Sequence, residues 1–93
     1  DVRSTDPATG RKRYIEVKAR ARVGPVALTQ NEWFKAGRFN TDYYLYVILN
    51  AATRPDLYII QDPAANLQPE ERVEVRYLVG VEEIVRNGIA VNE

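Results

Sequence analysis

Apolar and polar positions alternate with period two over Arg13-Tyr14-Ile15-Glu16-Val17-Lys18-Ala19-Arg20, the pattern of a β-strand. Ile15, Val17 and Ala19 fall on one face, and Tyr14, Glu16, Lys18 and Arg20 on the other. A shorter alternation, Asp1-Val2-Arg3-Ser4, precedes it. Between them Thr5-Asp6-Pro7-Ala8-Thr9-Gly10 has turn formers at nearly every position, so the two strands are expected to close as a hairpin. The pairing would bring Asp1 toward Glu16 or Lys18, with the register left open.

Ala21–Val26 leads out of the second strand. Thr29 followed by Glu32 then forms a capping box, which predicts a helix from about residue 30 that stops near Arg38–Asn40. Trp33, Ala36 and Gly37 recur at helical spacing and are expected to face the sheet. Asp42–Asn50 and Asp56–Gln61 are apolar on both faces and predict buried strands, the first of them central. Asp62–Pro69 reads as a loop or a single helical turn. Glu71–Val79 alternates cleanly and predicts a half-exposed strand near an edge, and Val81–Val85 a short terminal helix before Asn87-Gly88. The expected fold is α+β, one domain over 1–93, with a mixed sheet of four to five strands and one flanking helix.

Composition limits the chemistry. The 93 residues include no cysteine and no histidine, so disulfides, thiolate sites and imidazole chemistry are excluded. Any metal must take oxygen ligands, which points to Mg²⁺, Mn²⁺ or Ca²⁺. No apolar run approaches the ~20 residues of a membrane span, and there is no signal-peptide pattern, so an intracellular, cytoplasmic location off the membrane is expected. The chain starts at Asp1 and contains no methionine, which predicts a piece of a longer polypeptide. Formal charge is zero, but residues 1–38 hold nine basic and four acidic side chains while residues 39–93 reverse those numbers. Ten of the 13 basic residues are arginine, the side chain best shaped for bidentate phosphate contacts. A polyanion would approach the first half.

The candidate chemistry is Glu16-Val17-Lys18 with Asp1. Metal-assisted phosphodiester cleavage needs carboxylates to hold a hard cation and a cationic group to stabilise developing charge. Glu-x-Lys on one strand puts both groups on one face, with the Val17 carbonyl as a further ligand and Asp1 as a second carboxylate. The plain alternative is a solvated hairpin face with a cross-strand ion pair. Arg11, Lys12 and Arg13, with Arg20 and Arg22, are candidates for phosphate-backbone contacts, or else a solubilising turn. Tyr43, Tyr44, Tyr46, Tyr58 and Tyr77 could stack on bases but are expected in the core.

Asp-Val-x-Ser, the glycine-containing turn, Arg-x-Tyr-Ile-Glu-Val-Lys, Leu-Thr-x-Asn-Glu-Trp and Tyr-x-Leu-Tyr-Val together resemble the NO VEIN C-terminal domain, over about residues 1–62. That domain of unknown function is similar to the PD-(D/E)XK restriction-endonuclease-like superfamily, near its Mrr-like branch. The resemblance implies a restriction-endonuclease-like core lacking its first helix. It also implies Asp1, Glu16 and Lys18 as catalytic residues, with a polar partner on the following helix, either Gln30 or Glu32. Mg²⁺ or Mn²⁺ would sit on Asp1, Glu16 and the Val17 carbonyl. Ala19 stands where the family usually has glycine. The implied function is a nuclease-like module of a helicase- or restriction-related protein acting on DNA. The rival readings are a catalytically silent nucleic-acid-binding domain and a protein-interaction domain using residues 39–93.

Overall fold

The structure is a computed structural model and describes residues 2–91. Four strands form one sheet in chain order: β1 (Val2–Thr5), β2 (Lys12–Ala19), β3 (Tyr43–Leu49) and β4 (Asp56–Gln61). The outer pairs are antiparallel and β2–β3 is parallel, so the sheet is mixed. A parallel pair needs a crossover, and helix α1 (Gln30–Phe39) supplies it. Two further helices follow β4, α2 (Pro63–Asn66) and α3 (Val81–Asn87).

The hairpin forms as expected. Gly10 takes φ 69° and Asp6 closes the turn through backbone bonds of 2.7 Å to Gly10 and Arg11. Val2 stands opposite Ile15, and Ser4 opposite Arg13. At α1 the capping box is complete. The Glu32 N–H donates to Thr29 Oγ1 at 3.1 Å and the Thr29 N–H to Glu32 Oε1 at 2.7 Å. Asn40, at positive φ, ends the helix. Asp62 starts α2 as its N-cap, with Pro63 in the first turn, so the expected single helical turn is present.

The core lies between the sheet and α1. Tyr43, Leu45 and Val47 of β3 are buried beneath the helix, with Ala36 facing them. Tyr14 stacks on Phe39 with ring centroids 3.9 Å apart and planes 13° from parallel. Arg3 lies over the Tyr14 ring and Arg38 over the Phe39 ring, each close enough for a cation–π contact. Of the helix positions expected to face the sheet, Ala36 is buried and Trp33 partly so, while Gly37 is exposed.

Three expectations are corrected. Residues 71–79 form no strand; they run exposed in irregular conformation, since both sheet edges lie elsewhere and the alternation has no neighbouring strand to pair with. β4 is therefore an edge strand, and Leu57, Tyr58 and Ile59 are exposed rather than buried on both faces. The tyrosines divide accordingly. Tyr43 is core, Tyr44 and Tyr46 are half-buried, and Tyr58 and Tyr77 are exposed.

Candidate active site

The covered face of the sheet carries the polar residues of β2. Helix α1 lies over the side bearing Tyr14, Glu16 and Lys18, and Val17, on the other side, is exposed. Glu16 is only 7 % exposed, a buried charged side chain opposite Leu45 of the core. A carboxylate is costly to bury without partners. One partner here is Lys18, whose Nζ is 3.5 Å from Glu16 Oε1.

Glu32 completes the cluster from the helix side. Lys18 Nζ lies 2.8 Å from Glu32 Oε1 and donates to Oε2 at 3.0 Å. The capping box aims this side chain, because one Glu32 oxygen also accepts from the Thr29 N–H. One residue thus starts the helix and ties it to the sheet. Burial opposes ionisation of Glu32, but the Lys18 ammonium, the Thr29 N–H and a hydrogen bond with Glu16 outweigh it and hold its pKa at about 2. The hydrogen bond to Glu32 pushes the Lys18 pKa up against the opposing effect of burial. Lys18 is therefore a fixed cation rather than a proton acceptor.

Beside this cluster sits Tyr43, fully buried in the core. Burial, with the nearby Glu16 and Glu32 carboxyls, pushes its pKa up to about 12. Its hydroxyl is shielded from solvent and has no hydrogen-bond partner among the described residues. Its position in a continuous apolar run made it look like ordinary core, and no local signal in the sequence marks it as a neighbour of the charges.

The structure brings together Glu16, Lys18 and Glu32, and it distinguishes the two helix candidates. Gln30 is exposed at the first position of α1, along an open groove with Lys18, Arg20 and Trp33, whereas Glu32 enters the cluster. Asp1 lies outside the described residues. Val17 pairs in register with Tyr46; β1 covers β2 only over residues 12–15, so residues 16–19 have no described strand on that side. Among the described residues no group of three or more acidic side chains is placed to hold a metal ion. The two converging carboxyls have the oxygen chemistry a hard cation requires, with the remaining ligands to come from backbone, water or the substrate.

The candidate phosphate-contacting residues do not share one surface. Arg11 is ion-paired with Asp42 and donates to Thr41 Oγ1 at 3.2 Å. Arg20 donates to the Pro25 carbonyl at 2.7 Å, and Arg22 is exposed in the same loop. Lys12 and Arg13, adjacent on β2, point to opposite faces.

No helix among the described residues is long and apolar enough to cross a membrane. No curated protein and no solved structure matches the chain. A family model described as Protein NO VEIN, C-terminal, matches residues 1–60, which include the hairpin, the capping box and all three members of the charged cluster, and the chain belongs to that family.

Proposed function

We propose that this domain is a nucleic-acid-processing module whose Glu16–Lys18–Glu32 cluster is a phosphodiester-cleaving site of the restriction-endonuclease-like kind. The observation that carries the reading is Glu16 itself. It is a carboxyl group buried under α1 and grouped with an ammonium and a second carboxyl group, where an apolar side chain would have packed without penalty. Titratable groups with shifted pKa values, here Lys18 and Glu32, are candidates for a functional site.

In this reading Glu16 and Asp1, with the Val17 carbonyl, hold Mg²⁺ or Mn²⁺, and Glu32 replaces Gln30 as the helix contribution. A bound divalent cation supplies a polarised phosphate and a water of lowered pKa. Lys18, kept protonated by Glu32, would stabilise charge on the phosphate oxygens as a water oxygen, giving up its proton to solvent, bonds to phosphorus and the phosphorus–oxygen bond to the leaving group breaks. Lys12, on the same face of β2 as Glu16, and Arg22 guide the backbone of a DNA substrate, and the parent protein would provide a helicase or restriction partner.

Titration of Mn²⁺ into the protein, followed by calorimetry, tests this. Heat released by the wild type and absent from Glu16→Ala is expected, and Lys18→Ala is expected to keep metal binding while losing cleavage of DNA. Silence in wild type and variant alike would favour the second reading, a binding domain without catalysis. That reading has its own support, because Lys18 already contacts both carboxyls and the cluster is self-satisfied as it stands.

A further inference from the structure

The face of the sheet opposite α1 is uncovered by any described element. Val2, Val17, Leu57 and Ile59, one or more from three of the four strands, are each 44–56 % exposed there, and Tyr44, Tyr46 and Ile48 of β3 lie between them half-buried. A continuous apolar surface on this scale is what a second packed layer covers in a finished domain. One end of the same face is polar and unsatisfied. Ser4 and Arg13 stand opposite each other in the β1–β2 register, and Ser4 Oγ and Arg13 Nε are shielded from solvent without a hydrogen-bond partner. Both can donate, so what covers this face should bring acceptors.

Helix α3 has the complementary features. Val81, Ile84 and Val85 recur at i, i+3 and i+4 and so form one apolar stripe, with Glu82 and Glu83 beside it. Every residue of α3 is exposed. A seven-residue helix is far too short to persist in water unaided, so it needs a surface. The segment after β4 is acidic as well, with five glutamates against three arginines over residues 67–91, while the sheet's first two strands lie in the basic half.

The path of the chain decides whose helix it is. Leu67–Arg72 leave along the groove beside Lys18 and Trp33, on the α1 side, and residues 68–80 continue exposed and without regular structure. The radius of gyration is 19.5 Å, against about 12 Å for a compact chain of this length. The longest dimension is 61 Å and the others 33 and 32 Å. With every residue of α3 exposed, the helix is not seated on its own bare face. We propose that the uncovered sheet face is the docking site for helix α3 of a second copy of this chain, the two copies exchanging C-terminal arms about a twofold axis. Exchange of identical elements closes the assembly at two copies and satisfies both bare faces at once. The docking surfaces include none of Glu16, Lys18 or Glu32, and they share with the nuclease reading only Val17, whose side chain rather than its carbonyl lies on the bare face.

Sedimentation velocity over a concentration series tests it, with three samples: wild type, Ile59→Glu on the sheet face, and Ile84→Glu on the helix. The wild type is expected to show a concentration-dependent monomer–dimer equilibrium, and each variant to weaken it at least about tenfold. Circular dichroism confirms that the variants keep the sheet. Mixing the two variants is the decisive sample. One copy then retains a sound helix and the other a sound face, so the mixture should associate more strongly than either variant alone. A wild type that stays monomeric up to about 1 mM overturns the proposal, and so does a dimer indifferent to both substitutions. Failure of the mixture to recover association overturns it too, because docking of α3 on its own sheet gives that result.

Discussion

Glu32 is the residue on which local structure and candidate chemistry meet. It accepts from the Thr29 N–H as part of the cap and from Lys18 as part of the cluster. Its folded pKa, about 2, lies below the ordinary 4.5, so the folded state binds fewer protons than the unfolded chain between those values. The stability this brings is present above about pH 4.5 and is lost as the pH falls toward 2. Lys18 acts at the other end of the scale. Its raised pKa contributes stability below 10.5 that disappears only at strongly alkaline pH, so the acid limb belongs to Glu32. We expect Glu32→Gln to destabilise the domain by on the order of 1 kcal/mol at pH 7, allowing for solvent screening at the edge of the cluster. Glutamine can still accept from Thr29 N–H, so the cap is largely spared. Urea unfolding at pH 7, 4 and 2 is the measurement, and the gap between variant and wild type should close toward pH 2. An equal gap at every pH would mean that Glu32 acts through packing alone.

Elements were legible in the chain where local chemistry decides them. The hairpin turn with Gly10, the Thr29–Glu32 cap and the two apolar strands β3 and β4 all formed, because each depends on residues next to one another in sequence. What depends on a distant partner was not legible. The period-two pattern of β2 is real, yet it does not say which face α1 will cover, and the covered face proved to be the one with Glu16 and Lys18. Residues 71–79 alternate as well as β2 does, but no strand edge meets them. Tyr43 shows the same limit, since its proximity to Glu16 and Glu32 is set by the β2–β3 register and the helix crossing. The link between helix start and cluster can be tested by a double-mutant cycle. Thr29→Ala removes the side-chain acceptor of the cap and should cost about 1 kcal/mol. Lys18→Ala removes the tie across to the sheet. Because both act through the placement of Glu32, their effects on unfolding free energy should depart from additivity by about 0.5 kcal/mol or more. Additive losses would show that cap and cluster are mechanically separate.

Across the whole molecule, stability is divided unevenly along the chain. Packing concentrates where β2, β3 and α1 meet, with Tyr43, Leu45 and Ala36 at its centre, whereas every residue from 68 to 91 is exposed. Amide exchange reports such a division, since protection follows the free energy of opening each segment. At protein concentrations low enough to keep the chain monomeric, the amides of β2 and β3 should exchange most slowly, because β3 is paired on both sides and β2 lies beside it under the helix. The outer strands β1 and β4 each lack one neighbour and should exchange sooner. Residues 68–80 should exchange at the rate of an unstructured peptide, and α3 scarcely more slowly, since its seven residues have no surface beneath them. Raising the concentration then separates the possible fates of the arm. If α3 docks on a second copy, its amides and those facing the bare side of the sheet gain protection together, by mass action, while the β2–β3 core changes little. Strong protection of α3 already present in the dilute monomer would contradict this division of the molecule, because the arm would then belong to the folded unit of its own chain.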